Sequence, residues 1–379
     1  MSMIAIGGVI GAGLFVGSGK AISQAGPAVL LAYVAVGGLV VLVMRMLAEM
    51  SVAHPETGSF SSYAGRELGP WAGLSVGWLY GYHWCVVIGF EAVAGAAIVH
   101  QLLPTVPTWV AALVVMAALM AVNLTRVESF GTFEFWFAMI KVAAITAFLL
   151  IGVAAVLGAA PSHGAPGLDN LTGHGGFVPN GWTPVLQASL VVFFSYFGTE
   201  AITIAAGEAK HPAEAVRSGM RNVVWRILLF YIGSIAVVVT LMPWNATAIT
   251  ESPFVAVLDD LGIPYAKPVM NVVVLTAVLS CLNSGLYSSS RMFFSLAQRG
   301  EAPRRLGRVA SNGAPVPAIL LASSVGLATV VANYFLPTST VFDFLLQSSG
   351  SVAIVIYLSI TVTHLRSRAR MARQGHEQP

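Results

Sequence analysis

Charge is what this chain has least of: Asp, Glu, Lys and Arg make up 9% of its 379 residues, against 56% hydrophobic ones. Soluble domains carry about a quarter charged residues, so this composition cannot cover a water-facing surface, and a soluble globular enzyme is excluded. Cysteine is nearly as scarce. Cys85 and Cys281 each lie inside an apolar run, which excludes a disulfide framework and a thiolate metal site and leaves them as small packing residues. The N-terminus has no basic leader and no small-residue cleavage site, so its apolar stretch reads as a first membrane span rather than a signal peptide. The net charge of +3 gives no reason to expect a nucleic-acid partner.

What the chain has in abundance is long apolar windows, near 2–20, 27–49, 72–101, 108–124, 132–160, 183–206, 222–243, 268–298, 316–336 and 341–364. Each is close to the roughly 20 residues a helix needs to cross a bilayer, and the windows at 72–101 and 268–298 are long enough to require tilt. Ten membrane helices and no soluble domain are expected. Sixteen of the nineteen Lys and Arg residues fall after even-numbered windows, leaving Lys20 and Lys267 on the other face and Lys141 within a window. Positively charged loops stay on the cytoplasmic side, so both termini are expected there. The segment 161–181 contains no Lys or Arg and reads as an extracellular loop.

Polar chemistry inside the windows is concentrated at a few places. Gly7, Gly8, Gly11, Gly13, Gly17 and Gly19 crowd the first window. Glycine costs about 1 kcal/mol against alanine in a helix, so the cluster either permits close helix contact or marks an interruption. The sixth window carries Phe193-Phe194-Ser195-Tyr196-Phe197-Gly198-Thr199-Glu200, a second interruption signal. If windows one to five and six to ten are repeats, these two occupy corresponding positions, and paired broken helices point to a transporter's midplane site. The positive end of a resumed helix holds a carboxylate, and carbonyls exposed at a break accept from an ammonium. A zwitterion suits both.

Ionisable residues cost at least about 2.5 kcal/mol at a membrane helix centre and mark either function or a structural pair. Lys141 lies roughly 15 Å into the fifth span, where a lysine either exchanges a proton or is permanently paired. Glu91 either meets a substrate amine, carries a proton, or is a hydrogen-bonded structural acid. Glu200 follows the sixth-window glycine and either tethers the unwound segment through backbone N–H groups or touches substrate. Glu134 and Arg45 are expected to snorkel at the inner interface. Ser280, Asn283 and Ser284 form a polar face in the eighth window that contacts Lys141 or a cation, or binds helices together. The eight histidines have no ligand-like spacing, and there is no phosphate-binding loop, catalytic serine motif or nucleotide-binding domain. Neither metal, cofactor nor ATP hydrolysis is expected.

Ile6-Gly-Gly-Val-Ile-Gly-Ala-Gly-Leu-Phe15, Met44-Arg-Met-Leu-Ala-Glu-Met50, Phe194-Ser-Tyr-Phe-Gly-Thr-Glu200 and Ser280-Cys-Leu-Asn-Ser-Gly-Leu-Tyr-Ser-Ser-Ser-Arg291 occur in this order on these windows. Together they resemble the amino acid transporter branch of the amino acid–polyamine–organocation superfamily, most closely its bacterial 4-aminobutyrate permeases, from residue 2 to about residue 365. The resemblance implies an all-α integral membrane protein of the leucine-transporter type. Five-plus-five inverted repeats would occupy 1–160 and 182–364, with helices 1 and 6 broken, the loop 161–181 between them and a basic cytoplasmic tail at 365–379. It also implies proton-coupled uptake of a small amino acid across the plasma membrane, with the proton as coupling ion.

By the same resemblance, substrate carboxylate is held by backbone amides at Gly11, Ala12 and Gly13. The amine goes to carbonyls of Val9, Phe194 and Phe197 beside Gly198, the Phe194 ring gates the site, and Lys141 with Glu91 couples the proton. The family usually has twelve spans, two more than the ten read here, so contacts to the last two are not expected and the oligomeric state stays open. Within this class the substrate could equally be proline, lysine or an aromatic amino acid, or two substrates could be exchanged. A membrane sensor that binds an amino acid without net transport would be expected to carry a sizeable cytoplasmic extension, which the loops here do not supply.

Overall fold

The computed structural model describes residues 8–56, 58–124, 127–159, 165, 167–206, 212–335 and 338–374. Helices are the only regular elements among these residues. Backbone groups in a bilayer must be paired within the segment, which only helices and closed barrels achieve. Among the described residues, six stretches are long and apolar enough to cross a membrane: Gly13–Ala53, Pro70–Leu102, Glu134–Val156, Trp182–Ile204, Ala266–Gln298 and Asp343–Arg373. Thr108–Leu124, Leu228–Leu241 and Val316–Ala332 are shorter apolar helices.

The first stretch is not one rod. A π-helical turn at Gly13–Gly17 leads into α1 (Ser18–Ala25), which ends at Gly26 with φ +63° before a 3₁₀ turn at Gly26–Ala28 and then α2 (Val29–Ala53). The long windows become α4 (Pro70–Leu102) and α10 (Ala266–Gln298), each 33 residues, about 50 Å at the helical rise. They make the most extensive contact of any pair of helices. Both are buried along most of their length, α10 including its polar residues Ser280, Asn283, Ser284 and Arg291. Close approach depends on glycine: a Cβ at Gly81 of α4 would run into the Phe293 ring of α10.

Around this pair stand α5 (Thr108–Leu124), α6 (Val127–Val156), α7 (Trp182–Tyr196), α8 (Ala201–Ala206), α9 (Pro212–Leu241), α11 (Val316–Phe335) and α12 (Thr338–Arg373). Several connections that read as loops contain helices. The ten-residue α3 (Ser59–Leu68) buries Phe60, Tyr63 and Ala64 against the bundle and stops at Gly69, φ +107°, where Pro70 opens α4. Short helices also form at Thr247–Glu251 and Pro253–Asp260. The final helix runs on to Arg373, so the basic segment after residue 364 begins as helix. Polar contacts tie it to the bundle: Arg368 pairs with Glu49 of α2 at 2.9 Å, His364 Nε2 lies 2.8 Å from the same carboxylate, and Arg370 pairs with Glu67 of α3 at 2.7 Å.

The basic face is tied shut. Arg299, just beyond α10, donates to Ser62 Oγ at 2.6 Å, Ser61 Oγ at 2.7 Å and the Glu301 carboxylate at 2.8 Å. The Ser59 hydroxyl lies 2.7 Å from that of Thr203, which donates to the Glu200 carbonyl. The opposite face is open. A vestibule of about 510 Å³ lies between the last turns of α4, the first turns of α10 and the short helices around 250, with Val16, Gln101, Asp259, Lys267 and Asn271 in its walls.

Candidate functional site

Two interruptions face each other at the centre of the bundle. In the first, a helical start at Gly8–Val9 bends at Ile10–Gly11 before the π turn begins. In the second, α7 ends at Tyr196, Phe197 is extended (φ −68°, ψ 144°), and Gly198 takes φ +113° before α8 starts at Ala201. Only glycine adopts that φ without strain. A Cβ on Gly198 would lie 2.9 Å from the Gly8 carbonyl oxygen, so the two breaks touch backbone to backbone.

Interrupting a helix frees N–H and C=O groups that must find partners away from water. Side chains from four helices supply them. The Glu91 carboxylate of α4 accepts from Ala12 N–H, 3.1 Å from each oxygen. Tyr231 Oη of α9 donates to both the Val9 carbonyl at 2.9 Å and the Ser195 carbonyl at 2.7 Å. Ser195 Oγ donates to the Gly13 carbonyl at 3.0 Å, and Cys281 Sγ of α10 to the Gly8 carbonyl at 3.2 Å. At the second break, Glu200 accepts from Gly198 N–H at 3.1 and 3.0 Å. The Phe194 carbonyl takes Phe197 N–H at 3.3 Å.

Between the breaks is a cavity of about 10 Å³, walled by Gly13, Glu91, Phe194, Phe197, Cys281 and His83 among others. That is room for about one water molecule. The Phe194 ring forms part of its wall, edge-on to Phe90 at 4.8 Å between centroids and packed against Gly13.

Beside the cavity lies a second polar group. Lys141 of α6 is fully buried, with Glu134, Cys281 and Glu91 within electrostatic reach. Glu134 does not snorkel. It is fully buried, accepting from the hydroxyl of Ser280 and, at 3.4 Å, from Asn283 Nδ2, while Asn283 Oδ1 takes Asn123 Nδ2 of α5 at 2.8 Å. The reason is spacing: residues seven apart on a helix lie on nearly the same face, so Glu134 points inward with Lys141. Ser280 and Asn283 therefore meet Glu134, whereas the Ser284 side chain packs beside Gly8 at the first break.

The structure thus brings Val9, Gly11, Ala12, Gly13, Glu91, Phe194, Phe197, Gly198 and Glu200 to one place and puts Lys141, Ser280 and Asn283 next to it. The sequence reading missed His83 and Tyr231, named Ser195 only within its motif, and placed Glu134 at the interface. The spacing of 83, 87 and 91 on one face of α4 is a signal that would have found the first.

Similarity to known proteins follows this geometry. The model of the amino acid permease family matches residues 1–378. The chain is 51% identical over 377 residues to the gamma-aminobutyric acid permease of Bacillus subtilis (strain 168), covering 100% of this chain and 80% of that protein. It is 47% identical over 378 residues to the gamma-aminobutyric acid permease of Escherichia coli (strain K12), with 100% and 81% covered. Against the aromatic amino acid transport protein AroP of Corynebacterium glutamicum the identity is 42%, with 98% and 81% covered. In three dimensions it superposes on Mhp1, a nucleobase-cation-symport-1 family transporter solved in a closed conformation with bromovinylhydantoin bound. That match has a TM-score of 0.59 and 15% identity, covers 94% of this chain and 76% of the other, and shows a shared fold. Facing helix breaks around a closed central cavity, in a bundle of this fold and with these relatives, belong to a multi-pass membrane transporter, and the chain is a member of the amino acid permease family.

Proposed function

We propose that the protein imports 4-aminobutyrate by proton symport across the plasma membrane, with the basic face and both termini cytoplasmic. The relatives at 51% and 47% identity, named as gamma-aminobutyric acid permeases, support the substrate. In this reading the chain has ten membrane helices in two inverted repeats, 1–160 and 182–364, whose first helices carry the breaks. The Mhp1-like fold supports that reading.

One observation carries the mechanism: the Glu91 carboxylate sits on Ala12 N–H, where the resumed helix would hold a substrate carboxylate. Two carboxylates compete for the donors at Gly11, Ala12 and Gly13. A proton on Glu91 removes its charge and weakens a charged hydrogen bond of about 1.5–3 kcal/mol, which frees the amide for substrate. Substrate and proton thereby enter together. Lys141, close to Glu91 and Glu134, exchanges the proton with them, and no metal ion or cofactor is required. The substrate ammonium goes to carbonyls at the breaks, those of Val9, Phe194 and Phe197. The Phe194 ring swings to admit substrate from the vestibule and closes over it, and Glu200 holds the unwound segment by Gly198. The Arg299 clasp then opens on the basic face.

Uptake by proteoliposomes tests this. Labelled 4-aminobutyrate should accumulate without sodium and be lost on adding a protonophore, and Lys141→Ala should abolish accumulation. Strict sodium dependence, or full gradient-driven accumulation by Lys141→Ala, would refute the coupling scheme. The 42% relative that carries aromatic amino acids makes a different amino acid the second reading, and competition by an amino acid panel against labelled 4-aminobutyrate separates the two.

A further inference from the structure

We propose that His83 receives the ammonium of the substrate and so selects an amine several carbons from the carboxylate over an α-amine. This inference rests on the assignment of 4-aminobutyrate as substrate. His83 is 1% exposed and lines the central cavity from α4, on the face that also carries Glu91. Its Nδ1 contacts Ser349 of α12 twice, at 2.8 Å to the hydroxyl and 3.2 Å to the carbonyl. A carbonyl oxygen only accepts, so this second contact puts the ring proton on Nδ1. Nε2 of the neutral ring then carries the lone pair and accepts from a cation.

The surroundings favour positive charge. The His83 ring lies 3.9 Å from that of Phe197, 5.9 Å from that of Trp84 and 6.3 Å from that of Phe194, centroid to centroid, and all three aromatics share the cavity wall. Aromatic faces attract ammonium groups and repel carboxylates. The cavity therefore has two poles: a backbone donor at Ala12, occupied by Glu91, and an imidazole among rings at His83. Residues 83 and 91 are separated by about 12 Å along α4, but both side chains line one cavity of about 10 Å³, so their end groups lie closer together than that. Extended 4-aminobutyrate places its nitrogen about 5 Å from its carboxyl carbon, twice the reach of an α-amino acid, from standard bond lengths. The longer spacing carries the amine past the Val9 carbonyl of the first break to the ring, where Nε2 takes one of its three N–H donors and the Phe194 and Phe197 carbonyls of the second break take the others.

Two variants separate the acceptor from the scaffold. In His83→Asn the amide nitrogen replaces Nδ1 and still donates to Ser349, with nothing at the Nε2 position; in His83→Gln the end group reaches that position and accepts. The readouts are KM for 4-aminobutyrate and competition by its isomer 2-aminobutyrate, in protein whose unfolding temperature is also measured. His83→Asn should raise KM about tenfold or more, as loss of one charged hydrogen bond requires, with competition by 2-aminobutyrate unchanged, and His83→Gln should restore most of the loss. Equal weakening toward both isomers, or KM unchanged in His83→Asn, overturns the proposal while leaving 4-aminobutyrate as substrate. A wild-type protein that accumulates no 4-aminobutyrate defeats the substrate assignment itself, and this inference with it.

Discussion

Substituting Gly198 by alanine tests whether the two helix breaks are one structural unit. At φ +113° a side chain is strained, at about 1–3 kcal/mol. The added Cβ would also sit 2.9 Å from the carbonyl oxygen and 3.2 Å from the carbonyl carbon of Gly8. Both are backbone atoms, so no rotamer change relieves the contact, and overpacking adds about 1–3 kcal/mol more. A total of about 2–6 kcal/mol against the closed conformation lowers its population roughly 30-fold or more, at a factor of ten per 1.4 kcal/mol. In the proposed mechanism transport passes through that conformation, so Gly198→Ala should cut initial uptake at least that far at equal expression. Gly38 of α2 is the control: nothing lies within 4 Å of its added Cβ, and mid-helix alanine there should stabilise by about 0.5–1 kcal/mol and leave uptake intact. Wild-type uptake by Gly198→Ala would mean that the breaks do not close against each other.

Other perturbations bear on the same core. Tyr231→Phe removes the hydroxyl that serves the buried Val9 and Ser195 carbonyls and should cost about 1–3 kcal/mol, read as a fall in unfolding temperature with slower uptake; an unchanged melt would show that water replaces the hydroxyl. Glu134→Ala leaves buried donors of Ser280 and Asn283 without an acceptor beside Lys141 and should destabilise by roughly 3–5 kcal/mol, with Glu134→Gln milder because it keeps one carbonyl oxygen. A surface glutamate would give no change in either variant.

Much of this architecture is written locally. Long apolar windows mark helices because a bilayer leaves backbone groups no other partner, and the run lengths of the third and eighth windows return as two 33-residue helices. Gly198 before Thr199 and Glu200 signals a break because a glycine and a short-range carboxylate acceptor suffice to make one, and the interruption lies there. The helix α3 escaped notice because its ten residues carry too few apolar positions to stand out.

The chain alone therefore marks its long apolar helices, the glycine and carboxylate that interrupt one of them, and the family the protein joins, since each depends on neighbours in sequence. Tertiary structure decides which polar group meets which. Glu91 reaches Ala12 across 79 residues, His83 reaches Ser349 across 266, and Tyr231 reaches Val9 across 222. Glu134 is buried rather than at the interface: its spacing from Lys141 turns it inward, and α10 supplies the serine and asparagine that satisfy it there. In an apolar interior a polar side chain takes the fate of whatever packs opposite it, and that is set by how the helices lie against one another.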